Sequence, residues 1–440
     1  MKFLKFTFIP LLLILAACAA PEAAPTSTPP PAVVVNTPTA APPTPLPAPV
    51  VTDSGAADTD AEPEPVVEAV PPQPVKVRPW PATDFGYGIQ VHGNATVGDP
   101  IDTMETVRNE LGLDWVKMQI QWWLVKPDPT ADQWFFYDGV INEAFNSNLN
   151  LMVSVVGAPE WTRAAGGIHG PPDDYNLYAE FLTELINRHP GKIDAIEVWN
   201  EQNLDREWVA ANGINPEEYV QFLSVAYNAI KAADPSIIVI SGALSPTGPG
   251  DWVSFANDFE YMDRALAAGM LDVADCIGAH HNGYNVPPDV LVQDTNTLPE
   301  AQTAVFRGPF DNQFSGNNPN TLWTFKSTID GYIERIRTYE NAKPLCVTEF
   351  GWASSEGYDV FPAGFEYAQD NTLQEQADYI TQAFQIMQAS PDIWLAFLFN
   401  FDFGNKGGGP SDDPTPYSIV DGNGVPRPAF GAIADMNKPR

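Results

Sequence analysis

The chain has 440 residues, with 56 Asp and Glu against 22 Lys and Arg, a formal net charge of −34 and a sequence pI near 4.2. Affinity for nucleic acid comes from clustered Lys and Arg on phosphate, and so few basic residues among so many acids exclude it as a partner. Composition also divides the chain, because all 12 Trp lie at or after Trp80, whereas 18 of the 44 Pro fall within the first 79 residues.

Residues 1–18 read as an export signal of the bacterial kind. Lys2 and Lys5 precede an apolar run, Phe6 to Leu15, that is too short to span a bilayer, which takes about 20 residues. The run ends in Leu15-Ala16-Ala17-Cys18, which resembles a lipobox, so lipidation of Cys18 and anchorage to the cell-surface membrane are expected. Residues 19–79 are rich in Pro, Ala, Thr and acids and almost lack aromatics. Such a segment cannot bury enough apolar surface to offset its ordering entropy, and it is expected to be a disordered tether. At ~3.1 Å per residue in polyproline II it could reach roughly 190 Å from the membrane.

Residues 80–440 carry short apolar runs beginning near Phe85, Trp115, Leu149, Ile193, Ser236, Ala274, Pro344 and Ile393. Between them lie stretches with apolar residues at three- and four-residue intervals, such as Ile101 to Leu111, Tyr175 to Arg188, Pro216 to Ala233, Leu322 to Tyr339 and Leu373 to Gln388. Eight such βα units predict a single (β/α)8 barrel, of the α/β class. Gly86-Tyr87-Gly88 lacks the third glycine of a dinucleotide fingerprint and is read as a bend at the barrel entrance. Cys276 and Cys346 are the remaining cysteines. Both lie in strand-like runs and are expected to be buried thiols in preference to a disulfide, and no Cys/His spacing suggests a metal site. No metal or cofactor is expected. Asp421-Gly422-Asn423-Gly424 reads as a turn.

Active sites of such barrels lie at the carboxyl ends of the strands. The fourth strand ends in Val198-Trp199-Asn200-Glu201-Gln202-Asn203 and the seventh in Val347-Thr348-Glu349-Phe350-Gly351-Trp352, so each delivers a carboxylate there. A retaining glycosidase needs such a pair, with one acid to protonate the leaving oxygen and one carboxylate about 5 to 5.5 Å away to attack the anomeric carbon. Glu197, inside the fourth strand, reads as a hydrogen-bonded structural carboxylate. Trp122, Trp123, Trp161 and Trp352 all follow strand ends, and two or three are expected to line a sugar cleft.

The runs WNEQNL and TEFGW, in that order, resemble glycoside hydrolase clan A, whose barrels carry the acid/base on strand four and the nucleophile on strand seven. Within the clan, IEVWNEQNL looks most like family 39, with family 5 close behind. The resemblance extends to the end of the chain, where Gly424 to Phe430 looks like the segment leading into the closing helix. It implies Glu201 as acid/base, Glu349 as nucleophile, Asn200 as the donor to the sugar 2-hydroxyl, and His281 and Tyr284 as the His and Tyr beside the nucleophile. His280 and His281 are adjacent, so strand alternation aims only one inward, and His281 is the one expected there. Three departures concern the substrate. Gln202 replaces the Pro of W-N-E-P, Lys117 stands where relatives often carry Arg, and strand eight ends in Phe399-Asn400-Phe401-Asp402-Phe403 without a Trp.

The reading is of a monomeric retaining O-glycosidase acting on β-linked oligo- or polysaccharide. The alternative is a non-catalytic carbohydrate-binding lipoprotein on the same scaffold. A serine or metal hydrolase lacks support, since neither G-x-S-x-G nor H-E-x-x-H is present. The 70-residue spacing between strands six and seven contains Asn285 to Asn320, expected to form one wall of the cleft with Arg307, Phe306, Phe310 or Phe314 touching a distal sugar.

Overall fold

The structure, a computed structural model, describes residues 76–297, 306–309 and 324–439. The export signal, Cys18, nearly all of the tether, Phe310 and Phe314 lie outside the described residues.

Each of the eight apolar runs forms a strand: β1 (Gly86–Gln90), β2 (Trp115–Gln121), β3 (Asn150–Val156), β4 (Ala195–Val198), β5 (Ile238–Ser241), β6 (Ile277–His281), β7 (Leu345–Phe350) and β8 (Ile393–Leu398). They pair in parallel in the order β5-β4-β3-β2-β1-β8-β7-β6. Single bridges from Ile240 to Cys276 and from Leu244 to Ala279 bring β5 against β6 and close the cylinder. A helix follows each strand, and the sequence sets their ends. Asn215 caps Pro216–Ala233 by accepting from the Glu218 amide, and Thr372 with Glu375 forms a capping box on Leu373–Ala389. The (β/α)8 barrel expected from the spacing is the fold observed.

Strand alternation sorts the core into two parts. Val116, Met118, Ile120, Ile196 and Val198 point outward to the helices. Trp115, Met152, Ala195, Ile238, Leu395 and Phe397 point inward and fill the lower barrel, where Trp80 meets Trp115 edge-on with centroids 5.7 Å apart. This packing explains the two glycines of β1. A Cβ at Gly86 would meet Leu395 and Trp115, and one at Gly88 would overlap the Phe397 ring, so both admit large neighbours within the strand and are not a bend before it.

Cys276 and Cys346 form a disulfide, with their Cα atoms 5.9 Å apart, which corrects the expectation of two thiols. Both belong to the inward layer at the start of neighbouring strands. The sequence does not disclose that adjacency, because it depends on barrel closure.

Candidate active site

The chain turns sharply where β4 ends. Trp199 and Glu201 both adopt positive φ, 78° and 44°. That conformation costs a non-glycine residue roughly 1–3 kcal/mol and persists only where the surroundings over-determine it. Here they do. The Glu201 amide donates to Ala243 O at 2.9 Å, the Trp199 indole to Glu207 O at 2.9 Å, and the Gln202 amide group to Gly242 O at 2.8 Å. The Gln202 side chain is thus a structural clamp between β4 and β5. The turn lifts the Glu201 carboxyl to the barrel mouth, where it is 12% exposed.

Glu349 reaches the same space from β7. The register between β6 and β7 slips after Ala279, so that His280 lies opposite Glu349. Thr348 points into the barrel and donates to Glu197 at 2.6 Å, while the next residue, Glu349, also faces the mouth. One imidazole nitrogen joins the two carboxyl groups, as His280 Nδ1 stands 3.2 Å from Glu201 Oε1 and 3.8 Å from Glu349 Oε2.

Beneath this pair lies a fully buried charge cluster. Lys117 Nζ is 2.9 Å from Glu349 Oε1, 3.3 Å from Glu197 Oε2 and 3.1 Å from Thr348 O. Burial alone would lower the Lys117 pKa, but the two carboxylates outweigh it and raise it, so the ammonium stays charged beside Glu349. Glu197 also accepts from Ser154. Burial works against its charge, yet Lys117, His280 and the two hydroxyls hold its pKa below the ordinary value. It is a structural carboxylate, and it also orients Lys117.

Protons are distributed unevenly above. Burial would raise Glu201, but the His280 hydrogen bond and the Arg206 guanidinium, 3.1 Å from Oε2, hold its carboxyl down to about 2. Burial would lower His280, and Glu349 and Glu201 overcome this to raise it. Glu207, five residues beyond the Gln202 clamp in the same loop, is pushed up to about 8 by desolvation and by the nearby Glu201 charge. In the free protein the site therefore keeps Glu201 as a carboxylate and Glu207 as an acid at neutral pH.

These groups line a cleft of about 920 Å³ that runs over the barrel mouth, near the upper end of the ~300–1,000 Å³ range of ligand pockets. Of the residues singled out from the sequence, Glu201, Glu349, Asn200 and Tyr284 line it, and Lys117 touches Glu349 from below. Asn200 Oδ1 accepts from Gln119 at 3.3 Å, which leaves its Nδ2 for a ligand. Tyr284 lines the wall, but the amide that reaches Glu349 is that of Asn282, at 3.4 Å.

Other expectations need correction. Alternation from inward-facing Cys276 brings His280, not His281, to the axis, and His281 lies in the core against Tyr284 and Phe325. Trp122 is buried against Phe181, and Trp352 is buried with its indole bonded to Val286 O. Trp161 is 39% exposed, donates to Lys126 O and lies outside the cleft lining, as does Trp123. Tyr137, Phe365, Phe399, Phe403 and Tyr417 supply the aromatic lining, together with Tyr284. Arg307 forks onto Asp370 at 2.7 Å and bonds Glu366 O, so it ties down its own segment, and among the described residues of that segment Pro309 lines the cleft. Asp421 accepts from the amides of Asn423 and Val425, as a turn requires. Arg206, Glu207 and Asn282 were missed. Only the proximity of Arg206 and Glu207 to the W-N-E run could have marked them.

No protein-family model matches the chain, and no curated protein matches it either. Solved structures do. A monomeric beta-xylosidase from Caulobacter crescentus CB15 superposes with a TM-score of 0.53 at 15% identity, over 82% of this chain and 69% of that one. Xylanase 10B from Thermotoga maritima gives 0.51 at 16%, over 81% and 95%. The GH39 enzyme from Xanthomonas axonopodis pv. citri gives 0.50 at 16%, over 80% and 65%. At these identities the likeness is one of architecture, and the chain shares its (β/α)8 fold with structures of glycoside hydrolases.

Proposed function

We propose that the protein is a retaining glycosidase that hydrolyses O-glycosyl bonds of β-linked oligo- or polysaccharide by double displacement. The observation that carries this reading is the sharing of His280 Nδ1 by Glu201 and Glu349, at 3.2 and 3.8 Å, at the ends of β4 and β7. A retaining enzyme needs its carboxyl groups about 5–5.5 Å apart, whereas an inverting one leaves room for a water between groups ~6.5–9.5 Å apart. Two carboxyl groups flanking one imidazole nitrogen at the mouth can act on one glycosidic bond, and retention is the outcome tested by the stereochemistry of the first product.

Glu349, oriented by the Lys117 ammonium 2.9 Å from its Oε1, attacks the anomeric carbon while Glu201 protonates the departing oxygen. In the second step Glu201 removes a proton from water, which opens the glycosyl-enzyme bond. Asn200 Nδ2 binds the hydroxyl next to the reacting carbon. The structural relatives named as a beta-xylosidase and as a xylanase support a β-linked substrate, and the resemblance to family 39 fits the same reading. The volume of the cleft, about 920 Å³, favours an oligosaccharide over a single sugar.

Proton NMR of the first product released from a β-linked substrate is expected to display the β-anomer, and prior release of the α-anomer would overturn double displacement. Glu349→Ala is expected to abolish turnover and to recover it in part with azide, giving the inverted glycosyl azide. A protein that binds oligosaccharide but turns over neither polymeric nor aryl β-glycosides would instead be the non-catalytic binding protein.

The protein is further proposed to be an exported, monomeric lipoprotein held to the cell-surface membrane through Cys18. The apolar run and lipobox-like ending support export, and so does the Cys276–Cys346 disulfide, since such bonds persist in oxidising compartments.

A further inference from the structure

Both oxygens of the Glu201 carboxyl are occupied, and by partners of different kinds. Oε1 faces His280, which is 1% exposed and fixed in β6. Oε2 faces Arg206 at 3.1 Å, whose side chain is 56% exposed and projects from a loop whose backbone is pinned. That pinning comes from Asp205 N to Ser254 O and Trp208 N to Leu204 O, both 2.9 Å, and from the bridge between Leu204 and Phe255. Of the two oxygens, then, only the one beneath Arg206 can be uncovered without dismantling the barrel. A glycosidic oxygen that is to be protonated has to arrive there.

We propose that Arg206 is a displaceable positioning residue that covers Oε2 of Glu201 in the free protein, so that the sugar on the leaving-group side has to move the guanidinium aside before Glu201 can act as an acid. The inference rests on the glycosidase reading and adds to it a coupling between leaving-group recognition and acid function.

The charges around Glu201 fit this role. From its own loop come Arg206 and Glu207, from β6 and the following loop His280 and Tyr284, from β7 Glu349, and from the loop after β8 Asp413 and Tyr417. Among the described residues lining the cleft, Arg206 is the one Arg or Lys. With the guanidinium displaced, Glu201 faces chiefly carboxylates and His280, and its proton affinity rises. With it in place, Oε2 holds no proton. A leaving-group sugar presents hydroxyl oxygens that can accept from the five guanidinium N–H donors, so binding there supplies the force for the displacement.

The test reads Glu201 directly. Carbon-13 NMR of Glu-labelled protein, with the resonance assigned by its loss in Glu201→Gln, is expected to place the Glu201 titration about 1 unit higher in Arg206→Ala than in the wild type, because an opposite charge at this range shifts a carboxyl by roughly 1–3 units and the guanidinium is half exposed. Arg206→Lys, which keeps a point charge, is expected to restore at least half of the shift and serves as the readout should Arg206→Ala misfold. In kinetics, the basic limb of kcat/KM for an unactivated disaccharide is expected to move up by a similar amount in Arg206→Ala. Turnover of a dinitrophenyl glycoside, whose leaving group needs no proton, should not follow it. An unmoved Glu201 titration, or equal shifts with both substrates, would overturn the proposal. Failure of the wild type on every glycoside would sink the glycosidase reading instead, and the NMR titration would still decide whether Arg206 governs Glu201.

Discussion

Glu207 is the carboxyl group in the cleft whose surroundings least suit a charge. Desolvation comes first and the neighbouring Glu201 charge second, and together they push it up to about 8, above its value in an unfolded chain. A group raised in this way contributes its stability below the unfolded pKa, and that contribution is lost as pH rises through the folded value. Glu207→Gln is therefore expected to match the wild type in thermal unfolding below about pH 4 and to exceed it at pH 9. The gain should be about 2 kcal/mol, well below the full value of the shift because the cleft admits water. Equal Tm differences at the two pH values would show that Glu207 is not held protonated. The same scale explains what the sequence disclosed of the site. Glu201 and Glu349 were legible because each sits in a distinctive run at a strand end. Choosing between His280 and His281 required the parity of β6, which is anchored by Cys276 facing inward and is not marked in the run Ala-His-His.

At the scale of elements, the segment after β6 is tied to the β7 side of the barrel. Arg307 forks onto Asp370, its amide donates to Asn285 at 3.0 Å, and Phe306 packs near Tyr284. Pro309 reaches the cleft as a consequence. The length of the segment in sequence pointed to the cleft wall, and its arginine serves as the anchor on Asp370. Releasing the anchor with Arg307→Ala is expected to raise KM for long oligosaccharides roughly threefold to tenfold, equivalent to about 1 kcal/mol of lost contact, and to leave KM for an aryl monosaccharide unchanged. Equal kinetics on both would remove the segment from recognition. The tryptophans illustrate the same limit. Trp122 and Trp352 follow strand ends as a platform residue would, yet the helices beside those strands cover them, and smaller aromatics supply the cleft wall.

For the whole molecule, the charge of −34 and the cleft carry the same message. Glu201, Asp205, Asp251, Glu349 and Asp413 line the cleft, and Arg206 is the one Arg or Lys among the described lining residues, so a polyanionic chain is disfavoured there. Among the described residues no helix is long and apolar enough to cross a membrane. The proposed attachment is through Cys18. Cys18→Ala is expected to shift the protein from the membrane fraction to the medium, or to leave it as an unprocessed precursor of lower mobility. Unchanged fractionation with unchanged mobility would rule out lipidation.

The sequence by itself determined the barrel, because eight alternating βα units of apolar runs and amphipathic stretches have few other ways to bury their faces. It also placed two carboxylates at the ends of strands four and seven, since position along a strand is a one-dimensional property. Tertiary structure alone decided which groups surround them. His280, Arg206, Lys117, Asn282 and Glu207 act on Glu201 and Glu349 across strands and loops, over gaps of up to 232 residues between Lys117 and Glu349. Closure of the barrel likewise brought Cys276 to Cys346, because contacts around a cylinder depend on strand adjacency and inward parity, and neither is written in any single run of residues.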